Sequence, residues 1–373
     1  MAATLSPTLV PAADTLAVYV GTYTGKSQGI YQLELDLATG KLTQTSVATG
    51  VKNPSFLAIH PSGKFMYSVA EIADFAGKKA GGLAAFSLDP KSGALTLLNQ
   101  ESSVGDGPCH LVVDHSGKCV LAANYGGGSV CCLPIEADGK LGKATSFMQH
   151  AGPADSDGKK PTPRGHSINV DKNNRFAVAA DLGLNQMLVY KLDAAAGKLT
   201  ANDPPFTSLP VGSGPRHFAF HPSAKFAYVI NESNMTATAF AYDAEAGKLT
   251  ELQTLSTLPP GIGKGPGMST AEIQVHPSGK FVYGSNRGHD TIVAYSVDAA
   301  TGKQTYIENE PTGGKTPRNF GIDPTGKFLL AANQATDTIK VFRINPETGA
   351  LDATDHSIDV PSPVCVKFLK LAK

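Results

Sequence analysis

The sequence predicts an all-β fold, a ring of seven four-stranded blades, and three observations predict it. The first is a turn element of an acidic residue or Asn, a few small residues, and Gly-Lys-Leu-Thr or a variant. It occurs seven times: DLATGKLT from Asp36, DPKSGALT from Asp89, EADGKLG from Glu136, DAAAGKLT from Asp193, DAEAGKLT from Asp243, DAATGKQT from Asp298 and NPETGALD from Asn345. Its glycines, Gly40, Gly93, Gly139, Gly197, Gly247, Gly302 and Gly349, supply the positive φ of a hairpin turn. The second is a pair of apolar strands around a His/Asp-Pro-Ser-Gly-Lys-Phe turn, in six copies that start at Phe56, His110, Ser167, His217, Glu272 and Asn319. The third is a split copy. The chain opens on LAVYVGTYT, which matches only the second strand of that pair, and closes on VCVKFLKL, which matches only the first.

Each repeat therefore holds strands a (FAFHP-like), b (FAYVIN-like), c (TAFAYD-like) and d (LTELQTL-like). Repeated four-stranded sheets are the β-propeller pattern. Six complete units and one split unit make seven blades. The C-terminal strand a is expected to join N-terminal strands b, c and d, closing the ring and removing its open edges. Residues 15–373 read as a single propeller domain. Met1–Asp14, small, Pro-containing and without strand pattern, reads as an N-terminal tail.

Composition narrows the function. Lys+Arg and Asp+Glu are both 32, so no net field draws in nucleic acid or an acidic membrane. Apolar residues make up 41%, with no run long enough to cross a membrane. The odd set of five cysteines (Cys109, Cys119, Cys131, Cys132 and Cys365) lacks CxxC spacing and reads as buried or free thiols. The N-terminus lacks the basic start of a leader. The location expected is cytoplasmic, or periplasmic or secreted if a leader was trimmed, and the assembly a monomer or weak dimer.

In antiparallel blades the short, uniform a–b and c–d turns share one face. The b–c and d–a loops share the other, and there the copies diverge, as in Glu71–Gly82, Gln149–Gly165 and Thr257–Thr270. Variable loops on one rim of a rigid scaffold build binding sites. Strand a begins on this rim with Ser55, Cys109, His166, Arg216, Ala271 and Arg318, followed by Phe56, His110, Ser167, His217, Glu272 and Asn319. Strand b ends there with pairs such as Ala70-Glu71, Asn124-Tyr125, Asp181-Leu182, Asn231-Glu232 and Asn286-Arg287. The recurrent Asn/Asp suits a turn former. The non-repeating His166, Arg216, His217, Glu232 and Arg287 converge on the channel mouth, where the arginines should keep Glu232 ionised. The repeated His60, His221 and His276 face the uniform rim as turn-packing residues. His289 and Asp290 should shape a b–c loop.

At GPRHFAFHPSAKFAYVINES, PRGHSINVD, HPSGKFVYGSNRG and YVGTYT, the chain resembles the lactonase family of seven-bladed propellers, from about Leu16 to Lys370. That family includes bacterial 6-phosphogluconolactonase of the propeller type and the fungal carboxy-muconate lactonizing enzyme. The resemblance implies a rim site of one His, two Arg and one Glu, which fall here on His166, Arg216, Arg287 and Glu232. His217, Asn124, Tyr125, His110, Glu71 and Arg318 are the expected substrate-binding residues, and the partner is a small, anionic lactone.

Hydrolysis of a lactone needs an activated water and a place for the carbonyl charge. Glu232 or His166 is expected to accept the water's proton. Arg216 and Arg287 would hold the oxyanion or an anionic substituent. His217 would orient a partner or protonate the leaving alkoxide. No Ser nucleophile is implied. No cofactor or metal is required, although Glu71, Asn124, Asp181 and Glu232 offer oxygen ligands for Ca²⁺. Lys264, Lys315 and Arg318, in d–a loops, are phosphate candidates. The alternatives are a non-catalytic ligand- or protein-binding propeller, a muconate-type cycloisomerase, or a hydrolase of unphosphorylated sugar lactones.

Overall fold

The computed structural model describes residues 14–153 and 158–372, so the expected tail falls outside the described residues except for Asp14. Those residues form seven four-stranded antiparallel sheets, and no helix is present among them. The split sheet orders β28 (Pro363–Leu369), β1 (Thr15–Thr22), β2 (Ile30–Asp36) and β3 (Leu42–Ala48) from the inside outward. The ring thus closes as the half-repeats predict, with Ala17 opposite Leu369 and Gly21 opposite Cys365. We number this sheet blade 1. Blades 2 to 7 are continuous over 57–102, 108–149, 165–208, 215–256, 269–311 and 317–359.

Burial explains why strand b reads as an unbroken apolar run. In blade 5, Phe226–Asn231 (FAYVIN) is buried at every position, because a neighbouring blade covers each face of the sheet. The outer strand Lys248–Ser256 is largely exposed and carries the polar residues. Cores form between blades: Val178 and Met187 of blade 4 pack with Phe218, Val229 and Phe240 of blade 5.

Adjacent blades are also tied by the repeated polar residues. Tyr19, Tyr67, Tyr228 and Tyr283, one in each of four b strands, donate to the carbonyls of Gly93, Gly139, Gly302 and Gly349 at 2.8–3.0 Å. These glycines lie in the c–d turn of the next blade, with φ from 70° to 85°. His60, His221 and His276 each meet the hydroxyl of the serine two residues on through Nδ1. Their Nε2 atoms reach Gly117, Gly279 and Gly326 carbonyls of the next blade at 2.8–3.0 Å.

Candidate active site

A β-bulge at the start of strand a aims the site residues. In six of the seven sheets the a–b register slips there, leaving one extra residue on strand a. The extra residues are Val364, His166, Arg216, Ala271, Arg318 and Cys109, with Ser55 in the corresponding place before Leu57 in blade 2. A bulge takes a residue out of the ladder and re-aims its side chain. Here Ser55, Cys109, His166, Arg216, Arg318 and Val364 close the channel together, with Phe56 and His217 beneath. They enclose a cavity of about 10 Å³, the room one water molecule takes. Below it a wider cavity of about 370 Å³ is lined by Phe56, His110, His217, Glu272 and Lys367 among others, so His217 and Phe56 partition the channel.

The four residues expected to act together do come together, on one oxygen. Glu232 Oε2 accepts from Arg216 Nε at 2.8 Å and lies 2.9 Å from Arg287 Nη2 and 3.9 Å from His166 Nε2. Both guanidiniums are held from behind: Arg216 Nη1 donates to the Ala271 carbonyl at 2.6 Å and Arg287 Nη2 to the Thr270 carbonyl at 2.7 Å. Arg216 and His166 are buried, whereas the Glu232 side chain keeps 25% of its surface. Burial raises the Glu232 carboxyl pKa, but Arg216, Arg287 and Arg318 outweigh it and hold the carboxyl below its usual range. Burial, then Arg216, pushes His166 well below 6.5, so its imidazole is neutral.

The remaining expected residues divide. Tyr125 packs edge-on to His166 at 5.1 Å, with the Arg164 guanidinium over its ring at 5.3 Å. Glu71 accepts from the Tyr23 hydroxyl at 2.9 and 3.0 Å and from Ser55. Arg318 lies 5.6 Å from the Tyr23 ring, and among the described residues no hydrogen bond engages its guanidinium. His217 sits beneath, its Nδ1 3.0 Å from Glu272 Oε2. His110 is deeper still, buried 4.3 Å from the Phe56 ring, lining the lower channel rather than the mouth.

Asn124 is the clearest departure from the expected substrate-binding set. It is fully buried, and its amide donates to Ser129 Oγ of its own blade at 3.1 Å and to the Ser103 carbonyl in the loop from blade 2 at 3.4 Å. Asn231, Asn286 and Asn333 likewise serve the scaffold. Asp181 is engaged by His150 Nδ1 at 2.6 Å and the Arg164 and Leu184 amides. No group of three or more His, Cys, Asp or Glu fit to hold a metal occurs among the described residues. Lys264 reaches the Ser233 carbonyl. His289 and Asp290 brace their loop through Thr291, Gly288 and Thr316. All five cysteines are buried and free, and burial pushes the Cys109 thiol far up, 3.6 Å from His166 Nδ1.

Sequence reasoning passed over Tyr23, Glu272, Asn319 and Lys367. For Glu272 and Asn319 a signal existed: both align with His110 and His217, a column of polar residues inside an otherwise apolar strand.

Comparison with known proteins follows the same geometry. Over 94% of its length the chain is 38% identical to 97% of a 6-phosphogluconolactonase of Bacillus subtilis. It is 34% identical to a 6-phosphogluconolactonase of Formosa agariphila, covering 82% of this chain and 86% of that one. The structure of a periplasmic gluconolactonase of Pseudomonas aeruginosa superimposes with a TM-score of 0.87 at 31% identity, over 96% of this chain and 100% of that chain. The model of the lactonase family, seven-bladed β-propeller, matches residues 17–368, and the chain belongs to that family.

Proposed function

We propose that this protein is a carboxylic-ester hydrolase that opens 6-phosphogluconolactone, or a closely related anionic sugar lactone, at the channel mouth. The observation that carries this is the single carboxylate oxygen of Glu232 shared by Arg216 and Arg287, beside the neutral His166. Glu232 holds two guanidiniums of which Arg216 Nη2 and Arg287 Nη1 make no hydrogen bond among the described residues. Those donors suit the oxyanion that forms when water adds to the lactone carbonyl. Because Glu232 Oε2 is engaged by both arginines, the water's proton goes to an imidazole rather than to this carboxylate. The unengaged Arg318 guanidinium is suited to the phosphate of the substrate. Relatives bearing the name 6-phosphogluconolactonase at 34% and 38% identity support the same substrate.

A second reading, an unphosphorylated gluconolactone, is favoured by the periplasmic neighbour. The compartment follows from the choice, since a sugar phosphate is retained in the cytoplasm. Among the described residues no helix is long and apolar enough to cross a membrane. The test is kcat/KM for both lactones after subtraction of their uncatalysed hydrolysis. A preference for the phosphorylated lactone is expected. Equal or reversed preference would replace the first reading by the second, and no acceleration of either would end both.

A further inference from the structure

Beneath the mouth two titratable side chains from neighbouring blades meet. His217, on the inner strand of blade 5, meets Glu272, on the inner strand of blade 6, through Nδ1 and Oε2 at 3.0 Å. Asn319 of blade 7 donates to the same Oε2, and Glu272 Oε1 accepts from the Ile273 amide at 3.0 Å. All three side chains are buried. With Nδ1 held by the carboxylate, the lone pair falls on Nε2. That nitrogen is itself buried and without a hydrogen-bond partner among the described residues. An unpaired polar atom in so dry a place is costly and marks where a missing partner belongs. The ring lines the water-sized cavity under the bulge residues.

We propose that His217, oriented by Glu272, is the general base that takes the proton of the attacking water. This rests on the lactonase reading given above. The water oxygen bonds to the lactone carbonyl carbon while one of its protons passes to Nε2. The carbonyl π pair moves onto its oxygen, facing the Arg216 and Arg287 donors. On collapse the ring C–O bond breaks, and the ring oxygen receives the proton back from Nε2. The product is the open hydroxy acid, which loses its carboxyl proton to solvent. Glu272 fixes the Nδ1–H tautomer and balances the transient imidazolium, the role a carboxylate plays behind a catalytic histidine.

The other two candidates fit this role less well. Glu232 already accepts from two guanidiniums. His166 has Cys109 Sγ at 3.6 Å from Nδ1 and Glu232 Oε2 at 3.9 Å from Nε2, so no carboxylate within hydrogen-bond distance fixes its tautomer. The dyad also has a definite titration. Burial pushes the Glu272 carboxyl up to about 7, against the pull of Lys367, Arg216, the Ile273 amide and Asn319. Burial, then Arg216, Arg318, Lys367 and Arg287, hold His217 well below 6.5. The rings of His110 and His166 stand at 5.2 and 5.5 Å from it. The imidazole is therefore neutral while Glu272 ionises, and the base-competent form grows as pH rises through about 7.

The experiment measures kcat and KM of the full chain, of His217→Asn, of Glu272→Gln and of the double variant, across neutral pH on one lactone. Each single change is expected to lower kcat about 10²- to 10³-fold with KM altered by about twofold or less. The double variant should lose no more than the weaker single, because the two groups act as one unit. Glu272→Gln, whose amide cannot ionise, should lose the rise in kcat through neutral pH. If Glu272→Gln does not fold, His217→Asn with hydroxylamine decides. A nucleophile that needs little help from a base restores lactone turnover, as hydroxamate, if His217 is the base, and fails to if the ring only packs. The assignment is overturned if His166→Asn, rather than His217→Asn, abolishes the pH-dependent rise, or if the single losses multiply. Either result leaves lactone hydrolysis standing, whereas a parent protein that accelerates no lactone removes that reading itself.

Discussion

The two faces of the propeller use the same kinds of side chain for opposite ends. On the uniform face, His60, His221 and His276 each satisfy both ring nitrogens, one with a serine hydroxyl and one with a glycine carbonyl of the next blade. On the mouth face, His217 Nε2 and Arg287 Nε are buried and unpaired, and the Arg318 guanidinium meets only a tyrosine ring among the described residues. The repeated Asn124, Asn286 and Asn333 also donate through Nδ2 to backbone carbonyls of the preceding loop, although their Oδ1 atoms are buried without a partner among the described residues.

The contrast can be broken hardest at Arg216. Arg216→Met strips one donor from the proposed oxyanion site and should lower kcat/KM by about 10²- to 10³-fold. It also leaves Glu232 Oε2 to Arg287 alone, so thermal unfolding should shift down as well. A folded variant as active as the parent would remove the mouth from the mechanism. Arg318→Met should act on substrate choice instead. The loss of charged hydrogen bonds to phosphate, at about 1.5–3 kcal/mol, means an about 10- to 100-fold fall in kcat/KM for the phosphorylated lactone. Unphosphorylated lactone should be little affected, and so should the melting temperature.

A third test uses pH and stability. His110, His166 and His217 have folded pKa values well below 6.5, through burial first and neighbouring positive charge second. Below 6.5 the unfolded chain binds protons at these sites that the folded protein refuses, so their contribution is present above that pH and lost as pH falls. Glu272, raised from 4.5 to about 7, works the other way: its contribution is full below 4.5 and lost as pH rises through about 7. Between these limits three imidazoles oppose one carboxyl. The net from these four groups is a rise in stability with pH between about pH 5 and pH 6. Chemical denaturation at a series of pH values reads it directly, and a flat or falling profile would mean that the imidazoles are accessible to protons. The smallest effect is expected on the uniform face. His221→Ala should cost about 1 kcal/mol and leave kcat/KM unchanged. A fall in activity there would show that the two faces are coupled.

Much of this was legible in the sequence, for reasons that can be stated residue by residue. The split blade shows itself because a closed sheet needs its missing strand, and VCVKFLKL supplies what LAVYVGTYT lacks. His166, Arg216, Glu232 and Arg287 stand out because aligned copies have other residues at those ends. Glu272 was harder to see. Its partner His217 lies in another blade, and repeat alignment shows which residues share a position but not which neighbours touch across the channel. Asn124 is the opposite case: it sits at a strand end beside Tyr125, yet it is fully buried and its amide nitrogen donates to Ser129 and Ser103. The water-sized cavity was not legible at all. It depends on a bulge that shifts register by one residue; Pro54, Pro108, Pro215, Pro317 and Pro363 each precede that position, but a Pro equally marks an ordinary strand entry.

That bulge has a consequence for how the molecule can change. Each extra residue stands outside the ladder, so its identity is set neither by strand pairing nor by the cores between blades. Ser55, Cys109, His166, Arg216, Ala271, Arg318 and Val364 therefore form a ring of seven addressable positions on one frame, one per blade. Three of them hold His or Arg, and the others hold small or apolar side chains. Libraries confined to these seven codons should alter selectivity while sparing the architecture, and descent with modification has had the same freedom.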